Sequence, residues 1–128
     1  MKWTWTLAAL LTATAAGPAL AGDLKAKGAQ VYAAKCASCH QVTGQGLPGA
    51  FPPLAGSEYT NRDPKRHIKI VLKGLQGAIQ VAGKSYNGVM PPFAYLSDED
   101  IAAAVTYERL SWGNHGGAVK PSDVKALR

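Results

Sequence analysis

The apolar positions of this chain fall into one dense block followed by several spaced ones. The block runs from Leu7 to Ala16, comes after a single early positive charge at Lys2, and stops at Gly17-Pro18, which predicts the end of any helix there. Ala19-Leu20-Ala21 follows, two small residues flanking a larger one. This is the order of parts in a secretory signal peptide cleaved after Ala21. The block is well short of the roughly 18 apolar residues that span a bilayer. Residues 1–21 are therefore expected to be a removed leader, and 22–128 one small domain without a membrane span.

Within 22–128 the spacing turns helical. Asp23 is placed to cap a helix from about Leu24 to Ala37, with Leu24, Gly28, Val31, Tyr32 and Lys35 on one side. Gly28 costs such a helix about 1 kcal/mol relative to alanine, which another element passing close by would explain. Thr43 to Gly56 is rich in glycine and proline and carries no charge, so it predicts turns that can wrap a flat, apolar object. Asp63-Pro64 reads as a cap followed by proline at the first helical position. Ile68, Val71, Leu72 and Leu75 form the apolar stripe of that helix, which Gly74 and Gly77 end, while Lys65, Arg66, Lys69 and Lys73 lie off it. Alternation from Ile79 to Tyr86 predicts a short hairpin turning at Gly83-Lys84. Ser97, before Asp98-Glu99-Asp100, caps a last helix whose core face is Ile101, Ala104, Val105 and Leu110, ending near Gly113. Tyr107 is expected against the first helix, and Gly116 to Arg128 reads as a tail laid over the surface. No internal repeat and no second domain are visible.

Charge adds little. Fourteen Lys and Arg stand against eight Asp and Glu, so removal of Lys2 leaves a basic domain. The excess suits solubility or attraction to an acidic partner. It does not indicate nucleic acid, because the charges are dispersed and no nucleic-acid motif accompanies them.

The chemistry is concentrated in five residues. The chain has two cysteines, and both lie in Cys36-Ala37-Ser38-Cys39-His40. Cys-x-x-Cys-His is the attachment signature of c-type haem. Two intervening residues let both sulfurs reach the two vinyl groups of one porphyrin, and the next residue offers an imidazole to the iron. Three other uses of such a motif are weaker. A thioredoxin-like dithiol needs a βαβ setting, a disulfide here would close a tiny loop, and a zinc site needs a fourth ligand. Met90 is the one methionine after the initiator, in Asn87-Gly88-Val89-Met90-Pro91-Pro92, fifty residues beyond His40. Its thioether is the expected sixth ligand. His67, among basic residues, and His115, between glycines, both read as solvent-exposed.

Together Cys36-Ala37-Ser38-Cys39-His40, Met90-Pro91 and the two terminal helices resemble the class I c-type cytochromes over essentially all of 22–128. The resemblance implies an all-α, small cytochrome c fold. Its N- and C-terminal helices would cross around one haem at Gly28 and Tyr32, and a short β-hairpin would precede the methionine loop. It also implies a role for Pro52-Pro53-Leu54-Ala55-Gly56, in which the Pro52 carbonyl would take the hydrogen bond of His40 and Leu54 would pack on the haem. Tyr86 and Asn87 are candidate donors to the methionine sulfur or a haem propionate, or simple turn residues. With His40 and Met90 as metal ligands and Cys36, Cys39, Pro52 and Leu54 completing the cofactor site, the implied function is electron transfer with no catalytic residue. A peroxidase-like haem enzyme or a haem sensor with a displaceable Met90 is the alternative. The stretches 42–57, 86–91 and 111–114 are further similar to cytochrome modules of bacterial periplasmic oxidoreductases. That similarity implies a periplasmic protein, either a soluble carrier or the cytochrome subunit of an oxidoreductase, serving a nitrite reductase, an alcohol or sulfite dehydrogenase, or a terminal oxidase. Docking is expected through an uncharged ring of Leu47, Phe51, Val89 and Phe93, with distant lysines steering the encounter.

Overall fold

The computed structural model describes Lys2 and residues 17–128; the apolar block from Leu7 to Ala16 lies outside them. The domain is mostly helical with one two-stranded antiparallel sheet. Helix α1 spans Gly17–Lys35, so it starts ahead of the expected cap, and Asp23 lies within it. Pro18 does not stop this helix, because a first-turn proline lacks only an N–H that would have no helical partner anyway. The cleavage point expected after Ala21 falls inside α1. The helix also ends earlier than expected. Cys36 forms a joint, and the one-turn helix α2, Ala37–His40, follows it.

Helix α5, Asp98–Leu110, packs on α1, and Gly28 is where they meet. A Cβ on Gly28 would stand 1.9 Å from the Ala103 carbonyl oxygen, a separation that only glycine permits. One turn on, the Tyr32 ring sits against Tyr107 (centroids 5.4 Å apart) and Trp112 (5.0 Å). The Tyr32 hydroxyl donates to the Gln41 carbonyl at 2.5 Å, which ties α1 to the chain leaving α2.

Helix α3, Glu58–Asn61, is capped by Ser57, and α4, Pro64–Lys73, by Asp63, whose carboxylate accepts from Lys65 N–H at 2.9 Å. Gly74 ends α4 at φ 74°, and the chain runs directly into β1, Leu75–Val81. Gly77 is thus a strand residue rather than a helix stop. The partner strand β2, Lys84–Met90, pairs in a register that sets Val81 opposite Lys84 and Leu75 opposite Met90. The hairpin is longer than its sequence pattern, because the Gly/Asn-containing residues 85–90 still pair through backbone. It turns at Ala82-Gly83, both with positive φ, the geometry that matches strand twist.

That turn is held by Glu58, whose carboxylate accepts the Ala82 N–H at 2.9 Å. The hydrogen bond holds the Glu58 carboxyl below its usual range. An acid depressed in the folded state contributes stability above its unfolded pKa and loses it as pH falls through the folded value. Glu58→Gln is therefore expected to narrow the stability difference between neutral and acid pH, which urea unfolding at the two pH values measures.

The main core gathers Ile68, Leu72, Ile101, Val105, Val119 and Val124. The last two correct the expected surface tail. Helix α6, Pro121–Lys125, inserts Val124 fully, and Thr106 Oγ1 bonds both the N–H and the C=O of Val119. Arg128 then reaches back to the carbonyls of Ala94 and Leu96 (2.7 Å each) and to Asp98 (2.6 Å), pinning the segment after Met90.

Candidate haem site

The Cys-x-x-Cys-His turn is built by backbone bonds from Cys39 and His40 N–H to the Cys36 carbonyl, at 3.2 and 3.0 Å. Gln41 then takes φ 68° and turns the chain into the glycine-rich loop. His40 carbonyl accepts from Gly46 N–H, and Gly44 carbonyl accepts from both Leu54 and Ala55 N–H, which folds the loop into a strap. The Trp112 ring lies where a Cβ on Gly44 would be, so the strap also rests on the end of α5.

This strap sets Pro52 over His40: the buried imidazole's Nδ1 lies 2.8 Å from the Pro52 carbonyl oxygen. A carbonyl can only accept, so Nδ1 carries the proton, and in the neutral ring that tautomer leaves the lone pair on Nε2.

Cys36, Cys39, His40, Pro52, Leu54 and Met90 all line one cavity of about 310 Å³. Its remaining wall is largely apolar, including Phe51, Ile70, Leu75, Ile79, Val81 and Phe93. Such a volume lies in the range of small-molecule and cofactor sites, about 300–1,000 Å³. Two unpaired thiols, one imidazole with a free Nε2 and one thioether, set in an apolar chamber, fit covalent haem. Among the described residues no three His, Cys, Asp or Glu side chains cluster as a metal-ion site, so the zinc reading finds no ligand set. Met90 is the last residue of β2, held by pairing to Leu75, and not the free loop position its Gly/Pro neighbours suggested. Tyr86 is buried on the cavity wall, while Asn87 is exposed.

Two site features were not legible as roles in the sequence. His67 is buried, and its Nε2 lies 2.6 Å from Glu108 Oε2 on the cavity wall, which corrects the solvent-exposed reading. Its basic neighbours suggested a surface, but His67 and Val71 are one helical turn apart and share the inner face. Glu108 likewise continues the stripe Ile101, Ala104, Val105. His115 is exposed. Burial pushes the Cys36 thiol well up, and the nearby Glu108 adds to it through charge and a hydrogen bond.

The second feature is Asn114. Its amide donates to the Leu54 carbonyl (3.0 Å) and the Glu108 carbonyl (2.8 Å), and its oxygen accepts from Gly56 N–H and the Asn61 amide (2.9 Å each). Both amide N–H groups and both lone pairs of the oxygen are thus committed to holding the strap against α3 and α5. On the outside, Val42, Leu47, Val89 and Tyr95 are exposed. Leu47 and Val89 match the expected ring; Phe51 is half-buried and Phe93 packs on the core, and Val42 and Tyr95 are additional.

Residues 25–109 match the family description "Cytochrome c". The chain belongs to the cytochrome c family. Like its relatives it carries covalently bound c-type haem. It is 51% identical over 94 residues to cytochrome c-552 of Thermus thermophilus, covering 70% of this chain and 71% of that protein. It is 38% identical over 105 residues to the cytochrome c subunit of the quinone alcohol dehydrogenase of Gluconobacter oxydans, covering 79% of this chain and 22% of that subunit. The cytochrome c subunit of gluconate 2-dehydrogenase from Pantoea cypripedii is also 38% identical, over 113 residues, 84% of this chain and 25% of the subunit. The chain thus spans most of the Thermus cytochrome and about a quarter of the dehydrogenase subunits. Within this cytochrome, no helix among the described residues is long and apolar enough to cross a membrane.

Proposed function

We propose that this cytochrome transfers single electrons outside the cytoplasm, with His40 and Met90 as axial ligands, and that it is not an enzyme. The observation that carries the reading is the convergence of Cys36, Cys39, His40, Pro52, Leu54 and Met90 on one apolar cavity. Bound haem supplies a ferric/ferrous one-electron couple. Cys36 and Cys39 would anchor it through thioethers, and His40 would offer Nε2 to the iron. The Pro52 carbonyl fixes the ring plane of His40 and adds electron density to it. Met90 would bring sulfur from the end of β2, where pairing to Leu75 limits its movement. With His40 and Met90 both holding the iron, the protein would leave no position for oxygen or a substrate. A thioether ligand and an apolar wall both favour the ferrous state.

The terminal helices cross at Gly28, residues 1–21 are a removed leader, and the mature chain 22–128 works in the periplasm. Its partner is an exported dehydrogenase, which the likeness to dehydrogenase cytochrome subunits supports over a nitrite reductase or an oxidase. The exposed apolar residues Val42, Leu47, Val89 and Tyr95 form the contact surface, with the basic face of α4 steering approach.

The ferric optical spectrum of the purified holoprotein tests the ligand set. The weak far-red band of methionine sulfur on iron is expected, and Met90→Ala is expected to abolish it while haem stays attached. A wild-type spectrum without that band, high-spin or bis-histidine in type, would remove Met90 from the site and with it the case against catalysis.

A further inference from the structure

Two buried ionisable side chains that play no part in holding the haem sit in the wall of a largely apolar cavity. Glu108 and His67 are 4% and 5% exposed, and their Nε2–Oε2 separation is 2.6 Å. Both line the cavity that Cys36, Cys39 and His40 line. His67 Nδ1 is buried and, among the described residues, has no hydrogen-bond partner. Stability does not account for the pair. Apolar residues of similar volume in place of a buried ion pair are often neutral or stabilising, and Glu108 continues an apolar stripe that leucine would complete.

We propose that the Glu108–His67 pair is a redox-linked proton site: it takes one proton from solvent when the protein accepts an electron and returns it when the electron leaves. The inference rests on haem occupying this cavity. Its electrostatics are direct. Without the extra proton the pair carries one negative charge, and with it none. An electron entering the same cavity adds a negative charge, which strengthens proton binding at the pair; the low-dielectric wall preserves that coupling. One electron from the redox partner and one proton from water enter together, and both leave on oxidation. Because Nε2 is committed to Glu108, His67 Nδ1 is the atom placed to take the proton.

The neighbouring groups do not substitute for the pair. The Tyr32 hydroxyl of α1 and the Cys36 sulfur, at the joint that follows it, face Glu108; burial holds the tyrosine protonated, and with haem attached the sulfurs of Cys36 and Cys39 are thioethers with no proton to exchange. His40 of α2 is engaged by Pro52. Lys35 of α1, Tyr59 of α3 and Tyr86 of β2 complete the ionisable groups of the cavity wall. On α4, Arg66 lies over the Tyr59 ring, and Lys65 and Lys69 are exposed. Arg109, next to Glu108, turns its guanidinium to the carbonyls of Thr60, Arg62, Gly116 and Gly117.

The midpoint potential of the holoprotein, followed from about pH 5 to pH 9, tests the site. It is expected to fall with rising pH over part of that range. The limiting slope is a tenfold change in the redox equilibrium per pH unit, about 59 mV for one electron. A flat profile overturns the proposal. Glu108→Gln and His67→Gln are each expected to remove the slope. A slope of wild-type size in both would assign it to the haem's own carboxylates and overturn the proposal. If a variant does not fold, the His67 ring resonances of the wild type decide. Their titration midpoint is expected to be higher in the ferrous than in the ferric protein, and equal midpoints overturn the proposal. The far-red band, recorded on the same samples, shows separately whether Met90 ligation holds.

Discussion

Gly28→Ala is expected to destabilise the folded protein by about 3 kcal/mol or more, although it improves the helix that contains it. Intrinsic propensity favours alanine by about 1 kcal/mol at a mid-helix position. Overpacking costs about 1–3 kcal/mol where side chains can yield, and more where they cannot. Here they cannot. The new methyl would stand 1.9 Å from the Ala103 carbonyl oxygen and 2.7 Å from Tyr107 Cβ, so the obstacle is the backbone of α5 and the root of a side chain. Relief requires α1 and α5 to separate. That pulls Tyr32 away from Tyr107 and Trp112 and loosens its bond to the Gln41 carbonyl. Damage at Gly28 should therefore reach the cofactor turn, two helical turns away. Urea unfolding of the holoprotein, with the methionine–iron band as a second probe, measures both effects. A variant as stable as the parent would mean that α1 and α5 do not meet at this residue.

The sequence is most readable where one residue type alone satisfies a local demand. The haem turn, the Asp63-Pro64 and Ser97 caps and the glycine at the helix contact each follow from short-range chemistry, and the structure has the corresponding helix starts and close contact. Five of the six expected site residues lie on one cavity because Cys-x-x-Cys-His and the Pro52–Leu54 strap are local constructions, and the sixth, Met90, is brought there by its strand pairing with Leu75. What escaped the reading depends on long-range partners. Glu108, Arg109 and His67 are charged or titratable residues that composition assigns to the surface, yet each sits at a core-facing helical phase. Their burial is tolerable only because groups tens of residues away meet them: Glu108 for His67, and the carbonyls of Thr60 and Arg62 for Arg109. The burial of the C-terminal segment is hidden from the sequence for a related reason. Its two core residues, Val119 and Val124, are too few to give a periodic signal, and their partners Ile68, Ile101 and Val105 lie on other helices. The start of α1 shows the limit of local rules, since a proline that ends one helix can equally open the next.

Arg109→Met should cost about 4 kcal/mol or more, a large part of the roughly 5–15 kcal/mol by which domains are stable. Methionine keeps most of the packed stem and removes only the guanidinium. Arg109 is 2% exposed, and among the described residues its guanidinium has no carboxylate within ion-pair distance. Burial pushes its pKa down, with Asp63 opposing. What holds the charge is a set of carbonyls: Gly117 on Nε at 2.9 Å, Thr60 on Nη1 at 2.9 Å, Arg62 on Nη2 at 3.1 Å, and Gly116 also on Nη2. Thr60 and Arg62 belong to the end of α3, and Gly116-Gly117 to the turn that carries the chain back toward α6, so one side chain joins both to α5. The bond to Thr60 is buried and the other three are partly buried; a buried carbonyl left without a donor costs about 1–3 kcal/mol, and one that water can reach costs less. Release from desolvating the cation offsets part of this, and for that reason the expected loss is well below the sum. Arg109→Lys should fall between, because a single ammonium cannot span four acceptors set around a planar fork. Denaturant unfolding gives the free energies, and amide exchange at Gly116, whose N–H bonds the Arg109 carbonyl at 3.1 Å, reports whether the turn opens before the rest. If Arg109→Met matched the parent, the carbonyl cage would only repay the desolvation of the charge it surrounds, and the join between α3, α5 and the C-terminal turn would have to rest on Asn114 and the Thr106–Val119 bonds instead.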